Sequence, residues 1–116
     1  MRKLALGALV LALFTLSACW KNKQQIYTTL TNQSGITISA IEVDYPGASF
    51  GLTQMKPGET VRRAVTVNPP CTFSIHFKDL KGKQYQSKPI EFGKDKCPSE
   101  IVLTIDSSLN VTGVPK

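Results

Sequence analysis

The 116-residue chain has one histidine, His76, one tryptophan, Trp20, and three cysteines, Cys19, Cys71 and Cys97. So small a supply excludes the Cys- and His-rich ligand sets of structural zinc sites and leaves most multi-residue catalytic sets without their members. No apolar run reaches the about 20 residues that span a bilayer; the longest, Leu4 to Phe14, is broken only by Gly7. No stretch sustains the 3.6-residue period of an amphipathic helix, and the chain has no internal repeat. Hydrophobic residues make up 41% and charged residues 19%, a balance that excludes wholesale disorder. The length allows a single domain.

What is present begins with an address. Arg2 and Lys3 form a positive n-region, and Leu4 to Phe14 has the length of a signal-peptide h-region. The next residues, Leu16-Ser17-Ala18-Cys19, resemble the lipobox of bacterial lipoprotein precursors at all four positions. Small residues before the cysteine fit a narrow protease site, and the thiol takes a diacylglycerol as a thioether. The resemblance implies cleavage after Ala18, lipidation of Cys19 and a further acyl chain (palmitate or a similar fatty acid) on the new N-terminus. Two or more chains give stable anchoring, at roughly 0.8 kcal/mol per buried CH₂. No Asp follows Cys19, so the usual inner-membrane retention signal is missing and the outer membrane is the expected destination, facing the periplasm or the surface.

The division expected is therefore a leader over 1–18, an acylated tether over 19–25 and a domain over 26–116. Removing Arg2 and Lys3 leaves twelve basic against eight acidic side chains, a working charge of +4 in place of +6. The remaining excess is scattered and not interleaved with aromatics as in single-strand readers. No nucleic-acid partner is expected.

With Cys19 acylated, Cys71 and Cys97 form an even pair in a compartment that permits disulfides, and a Cys71–Cys97 bridge is expected. A metal pair is the alternative and would need two more ligands. Of the soft ones only His76 remains, so no metal and no other cofactor is expected.

The domain reads as strands at period two: Tyr27–Thr31, Ile36–Tyr45, Ser49–Gln54, Thr60–Val67, Cys71–Lys78, Lys83–Phe92, Ile101–Ile105 and Leu109–Val114. Turn residues separate them, notably Asn32-Gln33-Ser34-Gly35 and Lys56-Pro57-Gly58-Glu59. The apolar parity of the second strand shifts between Ile38 and Ile41, which predicts a bulge or twist near Ala40. Cys71, Phe73, Ile75 and Phe77 alternate against polar neighbours, so Cys71 is expected to face inward. Pro89 places Lys83–Phe92 near a sheet edge. These features predict an all-β fold of seven or eight short strands, a β-sandwich or small barrel. The Asn-x-Ser-Gly opening and the Lys-Pro-Gly-Glu turn resemble bacterial immunoglobulin-like domains, and that resemblance implies a seven- or eight-stranded antiparallel immunoglobulin-like β-sandwich. The Val43 to Gly51 segment resembles small envelope lipoproteins, and no function comes with that resemblance.

Few residues are candidates for chemistry. His76 lies on the wet face of its strand with no Asp or Ser at triad-like spacing, although folding could bring Asp106 or Glu100 near it; an ordinary surface histidine is expected. Glu42 and Asp44, two apart on one strand, share a face. Paired carboxylates serve glycoside hydrolysis or calcium binding, but a small sandwich seldom encloses a cleft, and no acidic loop supplies the missing oxygens. A solvated face is the plainer reading.

Tyr45 and Phe50 flank Pro46 and Gly47 in the most unusual patch. Either they cap the sandwich or they form a recognition surface, with Asp44 beside them and Arg62 and Arg63 as electrostatic helpers. Phe50 is expected to be structural and Tyr45 exposed. Arg63 shares parity with Val61 and Val65, which predicts a bulge or an edge position there, edge placement being the plainer reading. With catalytic residues lacking, no enzyme is expected. The reading is a lipid-anchored, non-enzymatic binding or accessory module for another envelope protein. An inhibitor or shield against an envelope-directed enzyme or receptor ligand is the alternative, and a small-ligand carrier the second.

Overall fold

A computed structural model describes residues 23–116. The leader, the lipobox and Cys19 lie outside the described residues. Nine strands follow: β1 (Gln24–Asn32), β2 (Ile38–Tyr45), β3 (Ala48–Met55), β4 (Thr60–Val67), β5 (Cys71–Lys78), β6 (Gln84–Gln86), β7 (Ile90–Gly93), β8 (Glu100–Ile105) and β9 (Val111–Pro115). One sheet has the order β4-β1-β8-β9; the other has β3-β2-β5-β6, with β7 also paired to β5. The two sheets face each other across a core that includes Ile26, Leu30, Phe73, Ile75, Phe77 and Leu103. The expected sandwich forms, but its strand count and pairing differ from the expectation in two places.

The stretch expected as one strand over 83–92 is two. β6 and β7 both pair antiparallel with β5, and residues 87–89 interrupt them. Pro89 has no N–H to give a ladder. Ser87 substitutes locally: its N–H donates to the Ile75 carbonyl (2.8 Å) and its hydroxyl accepts from the Ile75 N–H (2.9 Å). The second difference is that β1 and β8 run parallel, from Tyr27↔Glu100 to Asn32↔Ile105, while every other pair is antiparallel. Both strands start at one pole, where Gln24 meets the loop before β8. The Gln24 carboxamide donates to the Cys97 carbonyl (2.8 Å) and accepts from the Cys97 N–H (2.9 Å). Gln24 and Gln25 are thus part of β1, so the expected tether ends sooner than residue 25.

At the same pole the Cys71–Cys97 disulfide joins β5 to that loop across 26 residues, with Cα atoms 5.2 Å apart and both side chains buried. Closing a loop of that length stabilises the fold by about 3.5 kcal/mol in the chain-entropy account. The turn Pro46-Gly47 also lies here: the Asn68 N–H donates to the Pro46 carbonyl. Gly47 has φ +101°, a conformation that calls for glycine, and a Cβ there would also displace the end of the Asn68 side chain, 2.7 Å away.

The opposite pole is closed by Asn32, whose side chain is fully buried. Its Nδ2 donates to the carbonyls of Ile36 (2.8 Å), Met55 (3.1 Å) and Lys56 (3.2 Å), and its Oδ1 accepts from the Ser34 N–H and hydroxyl. One carboxamide therefore joins the β1–β2 connection to the β3–β4 turn. Among the buried side-chain polar groups of the described residues, the Thr28 hydroxyl is the one that finds no partner.

These two neighbours on β1 make opposite predictions. Asn32→Ala leaves buried carbonyls without donors and should lower unfolding stability by about 3 kcal/mol. Thr28→Val removes an unpaired hydroxyl at constant shape and should leave stability equal or higher. Urea denaturation of both variants checks the pair.

Candidate functional site

The polar cluster of the molecule is built on the outer face of the five-stranded sheet. In β2 the register against β5 shifts between Ser39 and Glu42, and Ala40 takes φ 49°. This is the expected bulge. It reverses parity, so Ile38, Ile41 and Val43 all point inward while Glu42 and Asp44 point out. On the adjacent β5, the alternation that buries Phe73, Ile75 and Phe77 turns His76 outward. Glu42 pairs directly with His76 in the ladder, and Asp44 with Ser74.

His76 thereby lies between two carboxylates. Its Nε2 is 3.0 Å from Glu42 Oε2 and its Nδ1 is 3.3 Å from Asp44 Oδ2. The imidazole is 28% exposed, against 44% for Glu42 and 41% for Asp44. His76 does lie on the outward face of its strand, and its partners there are Glu42 and Asp44, the pair read as a solvated face, and not Asp106 or Glu100. The Ser49 hydroxyl, followed by His76, holds the Glu42 carboxyl below the ordinary range, against the smaller opposing effect of desolvation.

Glu42, Asp44 and His76 form the group of three metal-ligating side chains among the described residues, with ligand atoms within 4.8 Å of one another. Both imidazole nitrogens already face a carboxylate, so a cation would have to displace one of those contacts. What the arrangement does in its own right is fix a histidine ring and a pair of acceptors on an open face. Beside it, Gly51 stands opposite Glu42 in β3. Having no side chain, Gly51 leaves a shallow hollow bounded also by Ala40, Leu52 and Thr53.

The residues singled out for partner contact do not converge. Tyr45 ends β2 with its ring 5.5 Å from that of buried Phe73 and 6.3 Å from that of Phe50. Both rings pack against the core. Tyr45 is therefore not the exposed aromatic expected; it caps the sandwich beside Phe50, and burial raises its hydroxyl pKa. The physical reason is the two-residue turn at Pro46-Gly47, too tight to carry the rings away from the sheet.

Arg62 and Arg63 lie on β4, in the other sheet from Asp44. The Arg62 guanidinium stacks 3.8 Å from the Tyr27 ring centroid and pairs with Glu100 at 3.3 Å. Arg63 sits on an edge strand, as its parity requires, and donates to the Arg62 carbonyl at 3.3 Å. The sequence signal for the Glu42–His76–Asp44 grouping was there in parts: two outward acids two apart, and one outward imidazole. The strand neighbours were not legible.

Capping predicts that Tyr45→Ala and Phe50→Ala each cost about 2 kcal/mol of unfolding stability, less than for a fully buried ring; urea melts of both variants check it. The acid cluster makes a second prediction. A carboxyl held low in the folded state contributes stability above its unfolded pKa, and the contribution is lost as pH falls through the folded value. Ser49→Ala should raise the Glu42 carboxyl pKa in an NMR titration of the side-chain carboxyl carbons. The same variant should flatten the loss of stability below pH about 4.

The sequence matches no family model and no curated protein. Among solved structures, the NMR structure of a protein from Eubacterium rectale is similar, with a TM-score of 0.57 at 11% identity. The match covers 78% of this chain and 87% of that one. At that identity the likeness is one of fold, and it fits a two-sheet sandwich that folds in more than one sequence context.

Proposed function

We propose that this protein is a lipid-anchored envelope lipoprotein that serves as a non-enzymatic binding module for another envelope protein. The observation that carries the proposal is the junction Leu16-Ser17-Ala18-Cys19 followed so soon by a folded strand at Gln24. The intervening residues reach at most about 18 Å when fully extended, at about 3.6 Å each. An acylated Cys19 would hold the domain close to the bilayer with one pole toward it. That pole is the one bearing Pro46-Gly47 and the disulfide.

The geometry then favours a contact surface away from the Tyr45–Phe50 turn. Both rings serve packing, and the turn would face the anchoring membrane. The outer face with Glu42, Asp44 and His76 stands to the side, where a neighbouring protein could reach it. Leu80, 75% exposed beside Ile36, projects from the opposite pole. The outer membrane remains the proposed destination.

The test is metabolic labelling with a clickable fatty acid in a bacterial host. The wild-type chain should take up label and enter the membrane fraction, and Cys19→Ala should do neither. Equal labelling of the two would end the lipoprotein reading.

A further inference from the structure

The edges of the two sheets are unequally defended. Of the four flanks, β4 carries Arg63 on its core-facing parity, β9 ends in Pro115, and the β6–β7 flank is broken at Lys88-Pro89. Charges and prolines of this kind are how natural sheets stop other strands from adding to them. β3 has neither. Its eight residues, Ala48–Met55, contain no charge and no proline, and among the described residues it pairs only with β2. Its outward backbone groups form an open template. Thr53 and Gln54 on it are exposed, and Phe50 and Leu52 are half-buried along its inner rim.

The neighbourhood of this edge also has a sign. One strand in from it lie the carboxylates of Glu42 and Asp44, and Gly51 is the β3 residue opposite Glu42. A strand added beside β3 would lie about 9.6 Å from β2, two strand spacings away. An arginine or lysine side chain on its outer face could cross that gap over Gly51, where no side chain intervenes, and reach the Glu42 carboxylate. A Cβ placed on Gly51 would come no nearer than 3.5 Å to the Ile41 carbonyl oxygen, ordinary contact. Glycine is therefore not required there by the fold, and the gap it leaves is open to a ligand.

We propose that β3 is a docking edge for an extended segment of another protein, rich in β-branched residues and carrying a basic side chain that lies over Gly51 against Glu42. Backbone pairing supplies the general affinity and the hollow over Gly51 the selectivity, as in other strand-addition complexes. A second copy of this chain is the weaker occupant. Pairing β3 with itself would bring the two acidic clusters together with no arginine or lysine from β2 or β3 to meet them, and pairing it with β4 would press Arg63 against the half-buried Phe50 and Leu52. The inference gives the partner of the binding module a chemistry. It rests on that module reading but not on the acylation of Cys19.

The experiment uses the purified full chain in mild detergent and two acetylated eight-residue peptides that alternate threonine and valine. One carries a central arginine and the other a central glutamate. The arginine peptide should bind about tenfold more tightly, the difference between one exposed ion pair and one repulsion. Its binding should slow hydrogen exchange at β3 amides and leave β4 and β9 unchanged. Gly51→Val, which fills the hollow, and Thr53→Lys, which charges the edge, should each weaken it at least as much. Glu42→Gln should make the two peptides equivalent. Thermal melts of the three variants close to wild type show that the fold is retained.

Absence of binding to both peptides, equal binding by the wild type, or protection at a different edge overturns the proposal. Concentration-dependent protection of β3 without peptide overturns it in favour of self-association. If an envelope protein crosslinks to the wild-type chain and equally to Thr53→Lys, the module reading survives and this edge is not its surface.

Discussion

One extra residue in β2 governs both faces of the five-stranded sheet. If β2 kept its alternation beyond Ile38, the even-numbered Glu42 and Asp44 would share its inward side, and Ile41 and Val43 would face water. Ala40 absorbs the conflict by taking φ 49°, a left-handed conformation that costs an alanine about 1 kcal/mol or more. In return Ile41 and Val43 enter the core at 2% and 1% exposure. Burying two β-branched or aliphatic side chains outweighs that cost by several-fold, at about 1.5–3 kcal/mol each. The same reversal places the two acids beside His76. The core and the polar cluster are consequences of a single backbone irregularity.

The two poles are closed by different chemistry. Where the chain enters the domain, a covalent bond and the paired hydrogen bonds of Gln24 fix the loop before β8. At the other end, loops are held by the buried carboxamide of Asn32, which has two donor hydrogens for three nearby carbonyls and shares them. The covalent closure holds whether or not water reaches it. The hydrogen-bonded pole depends on exclusion of water, and a single substitution there reaches every loop that Asn32 joins.

Electrostatics is distributed by sheet. The outer face of the five-stranded sheet holds Glu42 and Asp44 around one imidazole, and the four-stranded sheet holds Arg62 over Tyr27 with Glu100 as counter-charge. A formal charge of +4 on the chain after Cys19 therefore hides an acidic patch next to the least defended edge. Net charge describes solubility and long-range steering. Which partner strand can add at an edge depends on the few groups within a side chain's reach of it.

The sequence alone determined the strands whose alternation is strong. Thr60–Val67 and Cys71–Lys78 have the bounds read from their pattern, and the bulge at Ala40 and the inward Cys71 followed from parity, because period two is a local property of the backbone. It also carried the cysteine pair, since once Cys19 is set aside only one partner remains for each. Tertiary structure decided the rest. The split of residues 83–92 into two strands depends on where Pro89 falls along β5, and the parallel pairing of β1 with β8 on which pole the Cys97 loop returns to. Tyr45 shares the inward parity of Ile41 and Val43, but that its ring lies against Phe73 and Phe50 was decided by the strands that pair with β2. Glu42, Asp44 and His76 were each legible as outward-facing, but their meeting rests on β2 and β5 being neighbours at one register. Pairing between distant segments is set by the packing of the whole core, and so the cluster was decided only when the sheets closed.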